Sequence, residues 1–342
     1  MKDNIYNYSR TSFEDYFLNI GSPKFRATQL FEALYKQRIR EFSEITNFKK
    51  EFRIKLEENY YFGDLEIEKE QISEDGTRKY LFRLEDGILI ETVLMKHNYG
   101  YSVCVTTQAG CNMGCAFCAS GLIKKKRNLS TAEIVLQVLK IDNSLRKEGN
   151  RVSHVVVMGI GEPFDNYENV IEFIKVINDD KGLEIGSRHI TISTCGIVPK
   201  IYQFSELPLQ INLAVSLHFP NDEMRSRYMK INKKYSLAEL FKALRYYYQK
   251  TNRRITFEYI LLAGINDSLE NAKELVELVR GMNAYINLIP YNETGLFKRS
   301  DEKTRRAFFD YLMKNGINAI MRKEQGHDID AACGQLRLKE MQ

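Results

Sequence analysis

The chain has 342 residues, 44% of them hydrophobic and 28% charged, with a formal net charge of +5. This suits a soluble globular protein with a sizeable core, and six cysteines in a chain of this size argue against a disulfide framework. No apolar h-region opens the chain and no run approaches the ~20 apolar residues of a membrane span, so a cytoplasmic protein away from the membrane is expected.

Ser22 in SPKFRATQLFEALYKQ (22–37) reads as an N-cap ahead of Phe25, Leu30, Phe31 and Leu34 at helical spacing, and FKKEFRIKLEENY (48–60) as a second helix. Nine bases against four glutamates give residues 22–55 a net +5, whereas residues 56–93 carry eleven acids against four bases. A lone charge run is usually a solvated helix face, but separated basic patches, here and in KKKR at 124–127, suit a polyanionic partner such as RNA. RKYLFRLEDGILIETVLM (78–95) divides at Asp86-Gly87 into two short strands, a hairpin signal. Residues 1–95 are therefore expected to form a small helical, RNA-binding accessory domain with a β-hairpin, and residues 96–342 an α/β core.

From residue 101, short apolar strands alternate with amphipathic helices. The strands are YSVCVTT (101–107), HVVVMG (154–159), HITIST (189–194), INLAVSL (211–217), ITFEYILL (255–262) and YINLIP (285–290). A seventh strand-like run, NAIMRKE, occupies 318–324. Near-continuous apolar strands imply a parallel sheet covered by helices. Six β–α units are too few for a closed eight-stranded barrel, so an open, partial barrel is expected. Chemistry in such folds collects at the C-terminal ends of strands, which here read QAGCNMGC, GIGEP, STCG, SLHFP, AGIND and PYN.

CNMGCAFC spaces Cys111, Cys115 and Cys118 so that three thiolates can hold three irons of a [4Fe–4S] cluster, leaving the fourth iron open to a ligand from outside the protein. The competing reading is a zinc site completed by Cys104, Cys333 or a histidine. Structural zinc usually draws on two separated Cys-x2-Cys knuckles, and only one tight triplet is present. GIGEPF lacks the third glycine of a dinucleotide loop. Cys195, in STCG, reads as a packed thiol. Cys333, in DIDAACGQL (328–336), lies between small residues that suit either tight packing or a crowded reactive sulfur.

An aromatic residue, Phe117, precedes the third cysteine of the triplet, and the triplet opens a series of β–α units. This resembles the radical S-adenosylmethionine (SAM) superfamily. The likeness narrows to the RlmN family: CNMGCAFCASG, RNLSTAEI, VVVMGIGEPFDNY, RHITIST, SLHFPNDEMRS, NLIPYN and GHDIDAACGQL occur in order, within a match covering about residues 22–338. The resemblance implies a partial (β/α)6 TIM-like radical SAM barrel ending in a loop that carries a catalytic cysteine. It also implies methylation of carbon 2 of adenosine in the peptidyl-transferase region of 23S rRNA and next to the anticodon of tRNA. Carbon 2 is electron-poor and will not attack a methyl cation donor, so the family first moves the methyl group to a cysteine. A 5′-deoxyadenosyl radical then abstracts hydrogen from that S-methyl group, and the resulting methylene radical adds to the base.

On this resemblance Cys111, Cys115 and Cys118 are the cluster ligands. Gly161, Glu162, Ser193, Ser216, Leu217, His218 and Asn292 contact SAM, two molecules of which are used per turnover. The resemblance makes Cys333 the methyl carrier, Cys104 its later disulfide partner and Glu91 the base that removes the carbon-2 proton. A one-electron reductant such as flavodoxin or ferredoxin and a monomeric state are further implications. Each residue has a plainer reading: Glu91 as a solvent-facing strand carboxylate, Cys104 as a small buried hydrophobe, and His218 or Asn292 as partners of buried polar neighbours. The N-terminal basic segment and Lys124–Arg127 are expected to meet phosphates, with Arg322, Lys323 and His327 contributing. A Cfr-type enzyme would methylate carbon 8 instead, but Pro163 and Phe164 after Glu162 resemble RlmN, where Cfr-type chains tend to carry Ala-Leu. A zinc-containing RNA-binding protein without activity is the distant alternative.

Overall fold

The computed structural model describes residues 2–292, 297–326, 328 and 329. The chain opens with β1 (Asp3–Asn4), α1 (Arg10–Asn19) and α2 (Phe25–Glu32). Ser9 caps α1 by accepting from the Ser12 N–H. Helix α2 starts later than expected, with Lys24 at its N-cap and no side-chain cap. Ser22 is instead drawn back to α1, its N–H donating to the Phe17 carbonyl at 2.8 Å. Helix α3 (Lys50–Asn59) leads into β2 (Tyr60–Tyr61), which pairs in parallel with β1. Phe13, Phe17, Leu30, Phe31 and Leu56 from these helices join the main apolar core.

Three antiparallel strands follow: β3 (Glu66–Ile72), β4 (Arg78–Arg83) and β5 (Leu89–His97). At the Asp86-Gly87 turn, Gly87 takes φ +79° and the Leu84 N–H donates to the Ile88 carbonyl at 2.8 Å. The sequence reading had no counterpart to β3. Its exposed charged side chains suit a sheet edge, because an apolar edge there would recruit other chains. The acidic stretch of the sequence is in part this edge strand.

Strand β6 (Gly100–Cys104) turns the sheet parallel. Short strands β7 (Gln108–Ala109) and β8 (Arg127–Asn128) pair with each other and bracket the cysteine loop. Then come α4 (Thr131–Lys147), β9 (Val152–Val157), α5 (Tyr167–Asn178), β10 (Ile190–Thr194), α6 (Val198–Ser205), β11 (Asn212–Ser216), α7 (Asp222–Tyr228) and α8 (Leu237–Thr251). The last elements are β12 (Ile255–Leu261), α9 (Leu269–Val279), β13 (Ala284–Pro290), α10 (Glu302–Lys314) and β14 (Asn318–Met321). A reciprocal capping box of Ser130 and Glu133 starts α4, and Ser236 with Glu239 does the same for α8.

One sheet runs in the order β14-β13-β12-β11-β10-β9-β6-β5-β4-β3. Its members from β6 to β14 are parallel neighbours, as the alternation of apolar strands and helices predicts. The division placed at residues 95 and 96 falls inside β5, which pairs with β4 on one side and β6 on the other. Val155, Val157, Ile192, Leu213, Val215, Phe257, Ile286 and Leu288 are fully buried, each contributing about 1.5–3 kcal/mol of hydrophobic stabilisation. The opposite strand faces are less apolar than the sequence suggests: Cys104, Thr106 and Met158 line a cavity there. Among the described residues no helix is long and apolar enough to cross a membrane.

Candidate active site

The cavity encloses about 730 Å³ at the C-terminal ends of the parallel strands. Glu91 from β5, Cys104 from β6, Met158 to Ile160 after β9, Pro290 to Asn292 at the end of β13, and Arg322 to Gly326 after β14 line it. Another hollow, of about 590 Å³ beside Asp64, Arg83 and Lys140, gathers no nucleophile and no parallel-strand end.

Glu91 is not solvent-facing. It is 4% exposed, and Oε1 lies 3.5 Å from Nζ of Lys79, which is fully buried on β4. The main chain beside it is held by a buried polar network. Thr106 Oγ1 donates to the Glu91 carbonyl and accepts the Ile160 N–H. Gln137 of α4 clasps Thr106 from both sides, accepting its N–H and donating to its carbonyl, each at 2.9 Å, while also accepting from the Thr92 hydroxyl. Each of these groups would cost about 1–3 kcal/mol if left buried without a partner, so the network fixes the registry of β5 against β6. Cys104 is only partly exposed into the cavity, and burial pushes its thiol up to about 11 despite opposing fields from Arg322 and Lys79.

Cys111, Cys115 and Cys118 follow β7. The loop is pinned where the Cys111 N–H donates to the Ile123 carbonyl and the Ala116 N–H to the Tyr228 carbonyl, both at 2.9 Å. Gly110 must be glycine here: its φ is +90°, and a Cβ would stand 2.5 Å from the Lys124 carbonyl oxygen. Burial raises the Cys111 thiol to about 11 and that of Cys115 higher still, with repulsion from the neighbouring cysteines adding to both. Buried thiols such as those of Cys111 and Cys115 are stable as thiolates only beside strong positive charge, which a bound iron–sulfur cluster supplies. A single tetrahedral ion needs its donors to meet about one point. A cluster takes one thiolate at each of three irons.

The other candidate residues follow the ends of β9, β10, β11 and β13 or lie near them. Gly161 has φ +110°, but the space it leaves is occupied by Gln108 and Thr107, which a Cβ would meet at 2.7 and 2.9 Å. Its close approach is thus to the chain itself. Glu162 is 3% exposed, and its carboxylate accepts the Phe164 N–H at 3.0 Å and the Cys195 N–H at 2.7 Å. Burial raises its pKa against these hydrogen bonds. The side chains of Thr194 and Cys195 also hydrogen-bond to this carboxylate, which as an acceptor-only group is the kind of side chain that can meet an ammonium. Ser193 is partly buried near the end of β10. Ser216 ends β11 and Leu217 and His218 follow it, their N–H groups both donating to the Glu258 carbonyl at 3.1 Å. His218 holds φ +58°, accepts the Ile260 N–H on Nδ1 and lies edge-on to Phe117 at 4.8 Å. Burial, helped by Arg225, pushes it down to about 3, so it is a neutral imidazole. Asn292 stands at the cavity mouth.

Arg225 escaped the sequence reading. It is fully buried on α7 and donates to the carbonyls of Cys195 at 2.7 Å, Leu217 at 3.2 Å and Ser216 at 3.3 Å, and to Asn232 Oδ1 at 2.8 Å. It therefore ties together the ends of β10 and β11. A lone arginine in NDEMRS reads as a surface charge, and only the fold shows that it is a clamp. Cys195 packs with Phe117, Phe219, Met229, Leu262 and Tyr291. Within KKKR, Lys125 pairs with Asp165 and Arg127 with Asp86 and Glu133, while Lys124 and Lys126 are exposed. Those acids come from distant elements that the local charge count does not see. Cys333 and His327 lie outside the described residues.

The family model of the radical SAM superfamily matches residues 105–278, and that of the ribosomal RNA large subunit methyltransferase N-terminal domain matches residues 3–61. The chain is 54% identical over 347 residues to the probable dual-specificity RNA methyltransferase RlmN of Streptococcus thermophilus, covering 99% of this chain and 89% of that one. It is 53% identical to the protein of the same description from Streptococcus mutans, covering 100% and 96%. The crystal structure of a radical SAM methyltransferase from Sphaerobacter thermophilus superposes with a TM-score of 0.90 at 40% identity, covering 97% of this chain and 98% of that one.

Proposed function

Because the chain belongs to the RlmN family of radical SAM RNA methyltransferases, we propose that it methylates carbon 2 of adenosine in both 23S rRNA and tRNA. The observation that carries this reading is one cavity lined by a buried carboxylate, Glu91, and a thiol, Cys104, from adjacent strands. Removing a ring proton and resolving a sulfur-linked adduct need these two groups within reach of the same base. The description of its relatives as dual-specificity enzymes supports the two RNA classes.

Cys111, Cys115 and Cys118 would hold the [4Fe–4S] cluster, and Gly161, Glu162, Ser193, Ser216, Leu217, His218 and Asn292 the SAM, two molecules of it per turnover. When bound, these groups supply the methyl donor and one-electron hydrogen abstraction. The protein's own part is nucleophilic and acid–base chemistry. Cys333 takes the methyl group on its sulfur and delivers the carbon to C2 of the adenine. Loss of the C2 proton to Glu91, together with one electron returned to the redox partner, restores the aromatic ring. The Cys104 thiolate then attacks the carrier sulfur. The S–S bond forms as the S–C bond breaks, and the electron pair leaves with the base carbon, which takes up a proton to complete the methyl group. The base must leave its stack to reach the cavity, as other base-modifying enzymes require. A cytoplasmic setting, a flavodoxin- or ferredoxin-like reductant and a monomeric state complete the proposal.

Nucleoside mass spectrometry of rRNA and tRNA from cells with and without the gene tests it. Gene-dependent 2-methyladenosine in both RNA classes is expected. Gene-dependent 8-methyladenosine in place of it would contradict the carbon-2 assignment.

A further inference from the structure

A buried lysine in an active-site cavity needs a reason, because removing an ammonium group from water costs several kcal/mol unless it is paired. Lys79 is on the cavity face of β4, fully buried. Across the sheet it is the register partner of Val93 on β5, and Val93 is the partner of Cys104 on β6. Lys79 and Cys104 therefore share one cross-strand row. Glu91 is two residues from Val93 on the same strand face, opposite Leu81, which makes it the diagonal neighbour of Lys79. The 3.5 Å contact between Nζ and the carboxylate follows from that geometry.

The other charged groups facing this point are Arg322, whose field favours the Cys104 thiolate, Lys323 at the cavity wall, and the Arg299–Glu324 ion pair, joined at 2.6 and 2.8 Å, while the Glu91 carboxylate itself opposes the thiolate. Glu324 already offers both oxygens to Arg299. Lys79 is thus a cation that the sheet itself places against the carboxylate and in the same cross-strand row as the thiol.

We propose that Lys79 is a positioning residue for the methyl-transfer reaction, holding the Glu91 carboxylate in the cavity by direct ion pairing and lending its field to the Cys104 sulfur. This rests on the reading that Glu91 and Cys104 act on the base. Its field lowers the Cys104 thiol pKa, against the larger raising effect of burial. Removing Lys79 therefore leaves less thiolate at a given pH.

The test uses the reconstituted holoenzyme with Lys79→Met, Lys79→Gln and Lys79→Arg. Alkylation of Cys104 by iodoacetamide, followed by peptide mass spectrometry between pH 7 and 10, reads the thiolate without any RNA. The Met and Gln variants are expected to react about three- to tenfold more slowly at pH 8, and Arg within about twofold of the parent. Equal rates in all four proteins overturn the effect on Cys104. Single-turnover methylation supplies a second readout through a double-mutant cycle. Lys79→Met is expected to lower the rate by about ten- to a hundredfold with the Michaelis constant for RNA little changed, and to add little to Glu91→Gln. Losses that multiply in the double variant overturn the link to Glu91. Full methylation by Glu91→Gln alone would remove the functional premise, whereas the alkylation result would still report whether Lys79 acts on the thiol.

Discussion

Replacing Cys104 with alanine is expected to leave the protein covalently attached to its RNA. The proposed reaction forms a carbon–sulfur link between carrier and base before the methyl group is complete, and only a second sulfur at the right place breaks it. Cys104 is the described cysteine in the cavity with Glu91, whereas Cys111, Cys115 and Cys118 belong to the cluster loop and Cys195 is packed beneath it. The deletion removes one sulfur from a partly exposed position and touches no charge, so the fold should lose about 1 kcal/mol or less. Release of methylated RNA should fall by a factor on the order of 10⁴, as when a member of a covalent catalytic unit is deleted. Denaturing gel electrophoresis with labelled RNA should show the adduct. Its absence, with methylation intact, would exclude Cys104 as the resolving thiol.

Glu91→Gln is expected to lower single-turnover methylation by about 10²- to 10⁴-fold, the usual weight of a positioned general base. The amide keeps the carboxylate's shape but cannot accept a proton at neutral pH. It also weakens the ion pair of the fully buried Lys79 ammonium. A stability loss of about 1–3 kcal/mol is expected from that, visible as a lower urea midpoint. Asp at the same position should recover part of the stability and little of the rate, because the shortened side chain withdraws the oxygen from both lysine and base. A Gln variant that methylates at the parental rate would return Glu91 to the plainer reading of a buried structural carboxylate.

The parallel sheet was legible because its strands are apolar runs at regular intervals, each followed by an amphipathic helix. The edge strand β3 was not, since Glu66, Glu68, Lys69 and Glu70 give it the texture of a loop. The cysteine loop announced itself through spacing alone. Arg225 and Lys79 did not, for a shared reason: a buried cation is recognisable only by its partners, and those of Arg225 are carbonyls at the ends of two strands and the Asn232 side chain. Glu91 looked ordinary in an alternating strand, and what distinguishes it in the structure is the lysine diagonal to it and the thiol one strand away. Lys125 and Arg127 show the converse, a charge run whose members are neutralised by Asp165, Asp86 and Glu133.

In the proposed reaction carbon 2 is the reacting atom and its proton leaves. RNA whose target adenosine carries deuterium at carbon 2 or at carbon 8, supplied to the reconstituted enzyme, reads this out. Methylated product that has lost the carbon-2 deuterium is expected and, from the other substrate, product that keeps the carbon-8 deuterium. Methylated product retaining deuterium at carbon 2 and losing it from carbon 8 would contradict the proposed reaction.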